Sequence, residues 1–162
     1  MGEVIVRDLQ HIRNFLKIDE RVSSSGMPEP RDFAVLREGG FETVINLAMP
    51  TSDYAMPNEG ELVSAQGMTY VHIPVNFEAP QHADFERFVR IMDACADQKV
   101  FIHCAANKRV AAFLFLYRIR SGAVGRDLAE ADLQRIWEPD PVWRAFLDRE
   151  LASLGQPILK RS

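Results

Sequence analysis

Hydrophobic positions along the chain fall into two kinds of segment, short apolar runs and longer stretches with apolar residues at three- and four-residue steps. The short runs are typical of buried strands, and the periodic stretches are typical of amphipathic helices. We predict a hairpin of strands 14–18 and 21–25, and further strands at 41–48, 68–75 and 100–104. Helices are predicted from Pro30 to the Gly39-Gly40 pair and over 59–65, 83–96, 109–121, 126–137 and 142–154.

The order of these elements defines the fold class. Strands and helices alternate in the first two thirds of the chain, and only helices follow, which indicates an α/β three-layer sandwich. Its central, mostly parallel sheet of four to five strands is flanked by helices, and residues 1–162 are expected to form a single domain. Ligands of such sheets bind beyond the carboxyl ends of the strands.

Composition excludes several classes of function. The net charge of −4 gives no support to nucleic-acid binding. No apolar run is long enough to cross a membrane, and the first residues lack the apolar core of a signal peptide. Two cysteines make no disulfide framework, so we expect a reducing cytoplasm, and His72 and His82 lie apart from any metal-ligating cluster.

Candidate chemistry is concentrated after the strand at 100–104. A thiol at Cys104, directly before a helix, meets the partial positive charge and free N–H groups of the helix N-terminus, which favour a thiolate and bind oxyanions. Arg109 adds a planar, permanently charged fork for the same anion. We therefore predict a cysteine nucleophile in an anion cradle, although a buried apolar cysteine at a strand end is the alternative. The predicted cradle consists of Ala105, Ala106, Asn107, Lys108 and Arg109.

Five segments carry a family resemblance: Ser25-Gly26-Met27-Pro28, Val44-Ile45-Asn46-Leu47, Ile73-Pro74-Val75, the strand ending in His103-Cys104, and Tyr117. On these the chain resembles the cysteine-dependent protein tyrosine phosphatase superfamily, in its small bacterial dual-specificity-like branch. The resemblance covers about Phe15 to Tyr117 and implies the dual-specificity-phosphatase fold. It implies that Cys104 attacks phosphorus, that the loop and Arg109 hold the phosphate, and that no metal or cofactor is used. His103 would lie under the loop, tied to the backbone.

The loop departs from the family pattern in two respects. Four residues separate Cys104 from Arg109 where the family has five, and Asn107 stands where a glycine is usual. Val110 replaces the usual serine or threonine whose hydroxyl assists the sulfur as a leaving group. We therefore expect a slow second half-reaction from this variant loop, His-Cys-x-x-Asn-x-Arg.

The third departure from the family pattern concerns the general acid. The position of the family's aspartate falls on Phe77, and we take the neighbouring Glu78 as the best substitute, with Asp84 second. The alternative for Glu78 is an ordinary exposed loop carboxylate. A general acid typically contributes about 10²–10⁴-fold to the rate.

These observations predict a cysteine-dependent phosphatase acting on a phosphorylated protein or a small phosphate ester, in an oligomeric state that the sequence leaves open. One alternative is a pseudophosphatase that binds phosphorylated partners or anions. Another is a rhodanese-like sulfurtransferase, whose loop commonly has four residues between cysteine and arginine. The helix expected from Arg126, where rhodanese domains usually have a short strand, favours the phosphatase over the sulfurtransferase.

Overall fold

One five-stranded sheet organises residues 8–159, the part of the chain that the structure, a computed structural model, describes. Its strands are β1 (Leu16–Lys17), β2 (Val22–Ser25), β3 (Thr43–Asn46), β4 (Thr69–His72) and β5 (Val100–His103). They are arranged in the order β1-β2-β5-β3-β4, and β1 alone is antiparallel to its neighbour. The predicted hairpin and the mostly parallel sheet are confirmed, although the paired segments are shorter than the apolar runs.

Six helices in the described region surround the sheet. They are α1 (Asp32–Glu38), α2 (Glu59–Ala65), α3 (His82–Ala94), α4 (Lys108–Ser121), α5 (Arg126–Ile136) and α6 (Pro141–Ser153). Each begins and ends within two residues of its predicted bounds, including α3, which ends at Ala94 where the prediction placed residue 96. None of these helices is long and apolar enough to span a bilayer.

Two apolar clusters place the helices on opposite faces of the sheet. Successive side chains of a strand point to opposite faces, so Phe101 packs with α1 and α2 while Ile102 packs with the larger cluster from α3 to α6. In that larger layer α4 is central and buried on nearly every side, including Phe113 and Phe115. This burial explains its almost unbroken apolar run and confirms the three-layer sandwich.

The carboxyl edge of the sheet fixes where Cys104 emerges. His103, the last residue of β5, is in register with Ser25 of β2 and Asn46 of β3. Cys104 then donates its backbone N–H to the Ser25 carbonyl at 3.3 Å, and Leu47 donates to the His103 carbonyl at 2.8 Å. The central strand therefore delivers Cys104 to the ligand-binding edge, held from both sides.

Candidate active site

The loop from Cys104 to Arg109 turns the chain from β5 into α4. Cys104 is 1% exposed, and Asn107, the last residue before α4, has a φ of 68° in the left-handed region. Asparagine adopts this conformation more readily than most residues other than glycine. Asn107 thus supplies the backbone conformation of the glycine that it replaces. The N–H groups of the first turn, at Lys108 and Arg109, have no partner within the helix.

Two loop carbonyls are tied to segments outside the loop. The Asn14 side chain donates to the Ala106 carbonyl at 2.9 Å, and the Met27 N–H donates to the Ala105 carbonyl at 3.1 Å. Gly26 passes so close that a Cβ there would lie 2.6 Å from the Ala105 oxygen, far inside normal contact. The glycine of the Ser25-Gly26-Met27-Pro28 motif is therefore required by the close approach of the two chains.

The side chain of Asn107 forms a second hydrogen bond between the loop and Asn14. Its amide nitrogen donates to the Asn14 carbonyl at 2.7 Å and to the Ser24 hydroxyl at 3.1 Å, and its side chain is fully buried. Asn14 itself has a φ of 54°. Sequence reasoning missed Asn14, because nothing near residue 14 shows that the chain returns to it 92 residues later.

His103 lies under the loop as predicted, but its main partner is a carboxylate. Its Nε2 is 2.5 Å from Glu59 Oε2, while its Nδ1 is 3.4 Å from the Cys104 carbonyl oxygen. Glu59 and His103 are both buried. The expected tie to the backbone is therefore the weaker of the two contacts. Glu59, on α2, was missed because a helix-start glutamate normally faces solvent.

A polar network extends this pair along the sheet. Asn46 donates to Glu59 Oε1 at 3.2 Å and to the Tyr70 hydroxyl at 3.1 Å, and its own Oδ1 accepts the Ala48 N–H at 2.8 Å. Burial and the nearby Glu59 charge raise the pKa of Tyr70 to about 12, against a smaller lowering by the Asn46 hydrogen bond. The loop therefore rests on a saturated network, and saturated buried networks are rigid.

We expect Glu59→Ala to lower the free energy of unfolding by about 3–5 kcal/mol, because it removes one partner of a buried pair. His103 and Asn46 would both lose their acceptor. Glu59→Gln, which keeps an oxygen acceptor, should lose clearly less stability. Urea denaturation at neutral pH measures both variants. An alanine variant within about 1 kcal/mol of the wild type would show that the pair does not stabilise the loop.

Arg109 is a buried cation. It is 7% exposed, its Nη1 donates to the Val75 carbonyl at 2.9 Å, and its guanidinium carbon lies 5.7 Å from the ring centre of Phe77. Its Nε is buried without a hydrogen-bond partner, and no carboxylate within residues 8–159 forms an ion pair with it. A buried, uncompensated charge is costly, so this position is suited to an incoming anion.

Aromatic side chains form a wall beside Arg109. The Phe77 ring lies 5.7 Å from the Trp137 ring and 5.9 Å from the Trp143 ring, and the Trp143 indole donates to the Phe77 carbonyl at 2.7 Å. Lys108 places its Nζ 5.4 Å from the Trp137 ring centre. Trp137 and Trp143 pack the corner between α5 and α6, as predicted, with ring centres 6.2 Å apart. Phe77, at the position of the family's acid, is fixed in this wall.

Within residues 8–159, the structure shows no carboxylate in an ion pair with Arg109. Glu78 is exposed, and the contact found for it is its own N–H donating to Asn76 Oδ1 at 2.9 Å. Asp84, in the first turn of α3, is partly buried, and this burial raises its pKa against the opposing charge of Arg87. Glu78 follows Phe77 directly and so lies near the edge of the aromatic wall. Its role as the acid stays a prediction.

Known proteins share the sequence pattern and the fold. The family model of the polymorphic toxin system DSP-PTPase phosphatases matches residues 21–123, more than half of the chain. The chain therefore belongs to this family of cysteine-dependent phosphatases. A protein of Shewanella putrefaciens assigned to the DUF442 phosphatases is 34% identical, with a TM-score of 0.83 over 92% of this chain and 98% of that one. Tk-PTP in its active form has the same fold, at 24% identity and a TM-score of 0.68 over 86% and 95% of the two chains.

Curated relatives are longer than this chain. Beta-lactamase hydrolase-like proteins of Xylella fastidiosa and Agrobacterium fabrum are 29% and 31% identical over 117 and 114 residues. These matches cover 70% and 68% of this chain but 27% and 26% of the relatives. The chain thus spans about a quarter of their length.

Family membership confirms three predictions made from the sequence: the superfamily, the dual-specificity-like fold and the class of protein-tyrosine-phosphatase-like hydrolases. Neither the pseudophosphatase nor the sulfurtransferase alternative gains support from these relatives.

Proposed function

We propose that the protein hydrolyses phosphate monoesters at Cys104 through a phosphocysteine intermediate. The observation that carries this proposal is the uncompensated guanidinium of Arg109, buried beside the loop that begins at Cys104. Cys104 follows the central strand at the N-terminal end of α4, where helix N–H groups and the helix dipole favour an anion. A phosphoryl group at this place supplies the negative charge that the site lacks.

The proposed reaction has two steps. The Cys104 thiolate attacks phosphorus, the bond to the ester oxygen breaks, and that oxygen takes a proton from Glu78. The backbone N–H groups of Ala105 to Lys108 and the Arg109 fork hold the non-bridging oxygens as their charge develops. Water then attacks the phosphocysteine and loses a proton to the Glu78 carboxylate, the sulfur–phosphorus bond breaks, and inorganic phosphate leaves with the thiolate and the protonated Glu78 restored.

The second step is expected to limit the rate. Val110 is fully buried next to Arg109 and offers no hydroxyl to the departing sulfur. The loop is also one residue shorter than the family pattern, with one N–H fewer for the phosphoryl oxygens. Accumulation of the covalent intermediate would appear as a burst of the released alcohol.

Hydrolysis of p-nitrophenyl phosphate tests this proposal. We expect an initial burst of nitrophenol close to the enzyme concentration, a slower steady phase, and a phosphoenzyme that can be trapped by acid quench. Thiocyanate formed from thiosulfate and cyanide, with no phosphate release, would instead identify a sulfurtransferase. Saturable binding of vanadate without either turnover would identify a pseudophosphatase.

The acid assignment has its own test. If Glu78 protonates the leaving oxygen, Glu78→Gln should lower kcat/KM for phenyl phosphate by about 10²–10⁴-fold. The loss for p-nitrophenyl phosphate should be much smaller, because that leaving group needs little protonation. Asp84→Asn is the matched control, since Asp84 is the second candidate. A phenyl phosphate rate that survives Glu78→Gln but falls with Asp84→Asn would move the role to Asp84.

The substrate class within the proposal remains a phosphorylated protein or a small phosphate ester. Structures of the fold include Pseudomonas aeruginosa TpbA with phosphotyrosine and PTPMT1 with PI(5)P, each 16% identical to this chain. At that identity they support the fold alone. Two further predictions from the sequence are part of the proposal: the protein is located in a reducing cytoplasm, and residues 1–162 form a single domain.

A further inference from the structure

Two consecutive cations begin α4 and reach different parts of the aromatic wall. Arg109 lies over Phe77 at 5.7 Å, and Lys108 lies over Trp137 at 5.4 Å, while the two rings are 5.7 Å apart. Neighbouring residues of a helix point about 100° apart. The two positive charges therefore face adjacent regions of one wall and do not converge on a single point.

Neither cation has a carboxylate partner among residues 8–159. Across the part of the chain that the structure describes, the ion pairs include neither Lys108 nor Arg109. Lys108 is half-buried, so it is held close to the wall and not released into solvent. Most other basic side chains that are buried or half-buried form ion pairs with carboxylates, as Arg118 does with Asp132.

Two hydrogen-bond donors at the same wall also lack acceptors. Arg109 Nε and Trp137 Nε1 are both buried without a partner, on residues that are 7% and 9% exposed. Buried donors are nearly always paired in native proteins, and an unpaired one indicates an absent ligand or water. The unpaired donor of Arg109 fits a phosphoryl oxygen at the loop. The unpaired donor of Trp137, whose ring centre lies 5.4 Å from Lys108 Nζ, is available for a second acceptor at the same wall.

We propose that the substrate carries a second phosphoryl group on the side of its leaving group, bound by Lys108 at the Trp137 ring, while the loop and Arg109 hold the group that is transferred. This inference rests on the proposed phosphatase function and narrows its substrate to compounds that carry two phosphoryl groups. Arg109 and the helix N-terminus together can neutralise one phosphoryl dianion. The positive charge of Lys108 is then available for a second phosphoryl group. As in the proposed reaction, a sulfur–phosphorus bond forms and the bond from phosphorus to the leaving oxygen breaks; that oxygen is an ester oxygen in a bisphosphate and an anhydride oxygen in a diphosphate.

Paired substrates that differ by one phosphoryl group test the inference. Wild-type kcat/KM should be higher for fructose 1,6-bisphosphate than for fructose 6-phosphate, or higher for ADP than for AMP. The first pair represents bisphosphate esters and the second represents diphosphates, so the preferred pair identifies the source of the second group. Lys108→Ala should lower kcat/KM for the preferred substrate by about 10- to 100-fold, the usual loss of one charge-assisted hydrogen bond, and should lower it clearly less for the partner with one phosphoryl group.

Matched variants separate this role from a general loss of charge. Lys17→Ala removes an exposed lysine on β1 that pairs with Glu20 at 3.1 Å, and it should leave both substrates unaffected. Lys108→Arg, which keeps the charge, should restore most of the preference. Trp137→Phe, which keeps an aromatic ring but removes the N–H, should weaken the preference with less effect on the single-phosphoryl substrate.

Two results would overturn the inference. One is a wild type with no preference for a second phosphoryl group in either pair, and the other is a preference that Lys108→Ala leaves intact. Hydrolysis of p-nitrophenyl phosphate distinguishes these failures from a failure of the proposed function. If that activity is present and depends on Cys104, only the claim about Lys108 has failed.

Discussion

Cys104→Ser is expected to reduce phosphatase turnover by about 10⁴-fold or more, to the background of the assay. A serine hydroxyl at this position cannot ionise near neutral pH, and loss of a covalent nucleophile removes the whole two-step route. The substitution changes one atom at a site that is 1% exposed and keeps the backbone bond from residue 104 to the Ser25 carbonyl. We therefore expect the folded loop and its binding of phosphate or vanadate to survive while the burst of alcohol disappears.

Cys95 is the matched control, since it is the other cysteine of the chain. Its sulfur lies 3.9 Å from the Thr43 hydroxyl, at the amino end of β3, whereas Cys104 leaves the carboxyl end of β5. The four paired residues between these ends correspond to about 10 Å of strand. Cys95→Ser should therefore leave turnover unchanged. Retention of more than a tenth of the activity in Cys104→Ser, or its loss in Cys95→Ser, would contradict the assignment of the nucleophile.

The fold was predictable because the hydrophobic pattern and the sheet agree. Apolar runs such as 100–104 became buried strands, and the three- and four-residue repeat around Phe85, Phe88 and Met92 became the inner face of α3. The position of the candidate site followed from the same pattern, since a residue after a central parallel strand lies at the edge where ligands of such sheets bind. Cys104 and Arg109 could be named as candidates from sequence because they are separated by a single turn.

The support of the loop could not be predicted, because it comes from distant segments. Asn14 reaches Ala106 across 92 residues, and Glu59 reaches His103 across 44 residues. Local spacing contains no information about such contacts. A glutamate in the first turn of a short helix is usually exposed to solvent, where its negative charge interacts favourably with the positive end of the helix dipole. Only the return of α2 to the carboxyl edge of the sheet buries Glu59 against His103.

The surroundings of Phe77, which stands where the family has its catalytic acid, also could not be predicted from local sequence rules. Alignment placed Phe77 at the position of the family's aspartate, but it could not show that the ring would lie between Arg109 and two tryptophans of the last helices. Those tryptophans lie at least 60 residues further along the chain. The wall they form lies beside Arg109 at the end of the loop. If the proposed site is correct, its specificity should depend on the helical layer that follows residue 126, beyond the matched family segment.

Charge is distributed unevenly across the two faces of the sheet. On the face of α1 and α2, His103 is paired with Glu59 within a closed network. On the face of α4, Arg109 is buried with one backbone acceptor and no counter-ion in the described region. An unpaired buried charge is costly in the empty protein and is compensated when an anion binds. If the proposed site is correct, Arg109 should therefore lower the stability of the empty protein and increase its affinity for an anion.

Arg109→Met is therefore expected to separate activity from stability. Turnover should fall by about 10³-fold or more, because the largest electrostatic contact to the developing charge is lost. Without phosphate, however, the variant should unfold at a temperature about 2–4 °C above that of the wild type, which corresponds to about 1 kcal/mol for a chain of this size. We expect the removal of an unpaired buried charge to outweigh the lost hydrogen bond to Val75, which is worth about 1.5–3 kcal/mol because its donor is charged.

Arg118→Met is the control that makes this result specific. Arg118 lies on the same helix and is 8% exposed, against 7% for Arg109, but it is paired with Asp132 at 2.7 Å. Its removal leaves the mostly buried Asp132 with only the longer contact to Arg135 at 3.9 Å, so this variant should melt lower than the wild type while turnover is kept. Saturating phosphate should raise the melting temperature of the wild type and of Arg118→Met but not that of Arg109→Met. If both arginine variants lose stability equally, Arg109 is a structural residue, and its unpaired charge is not reserved for an anion.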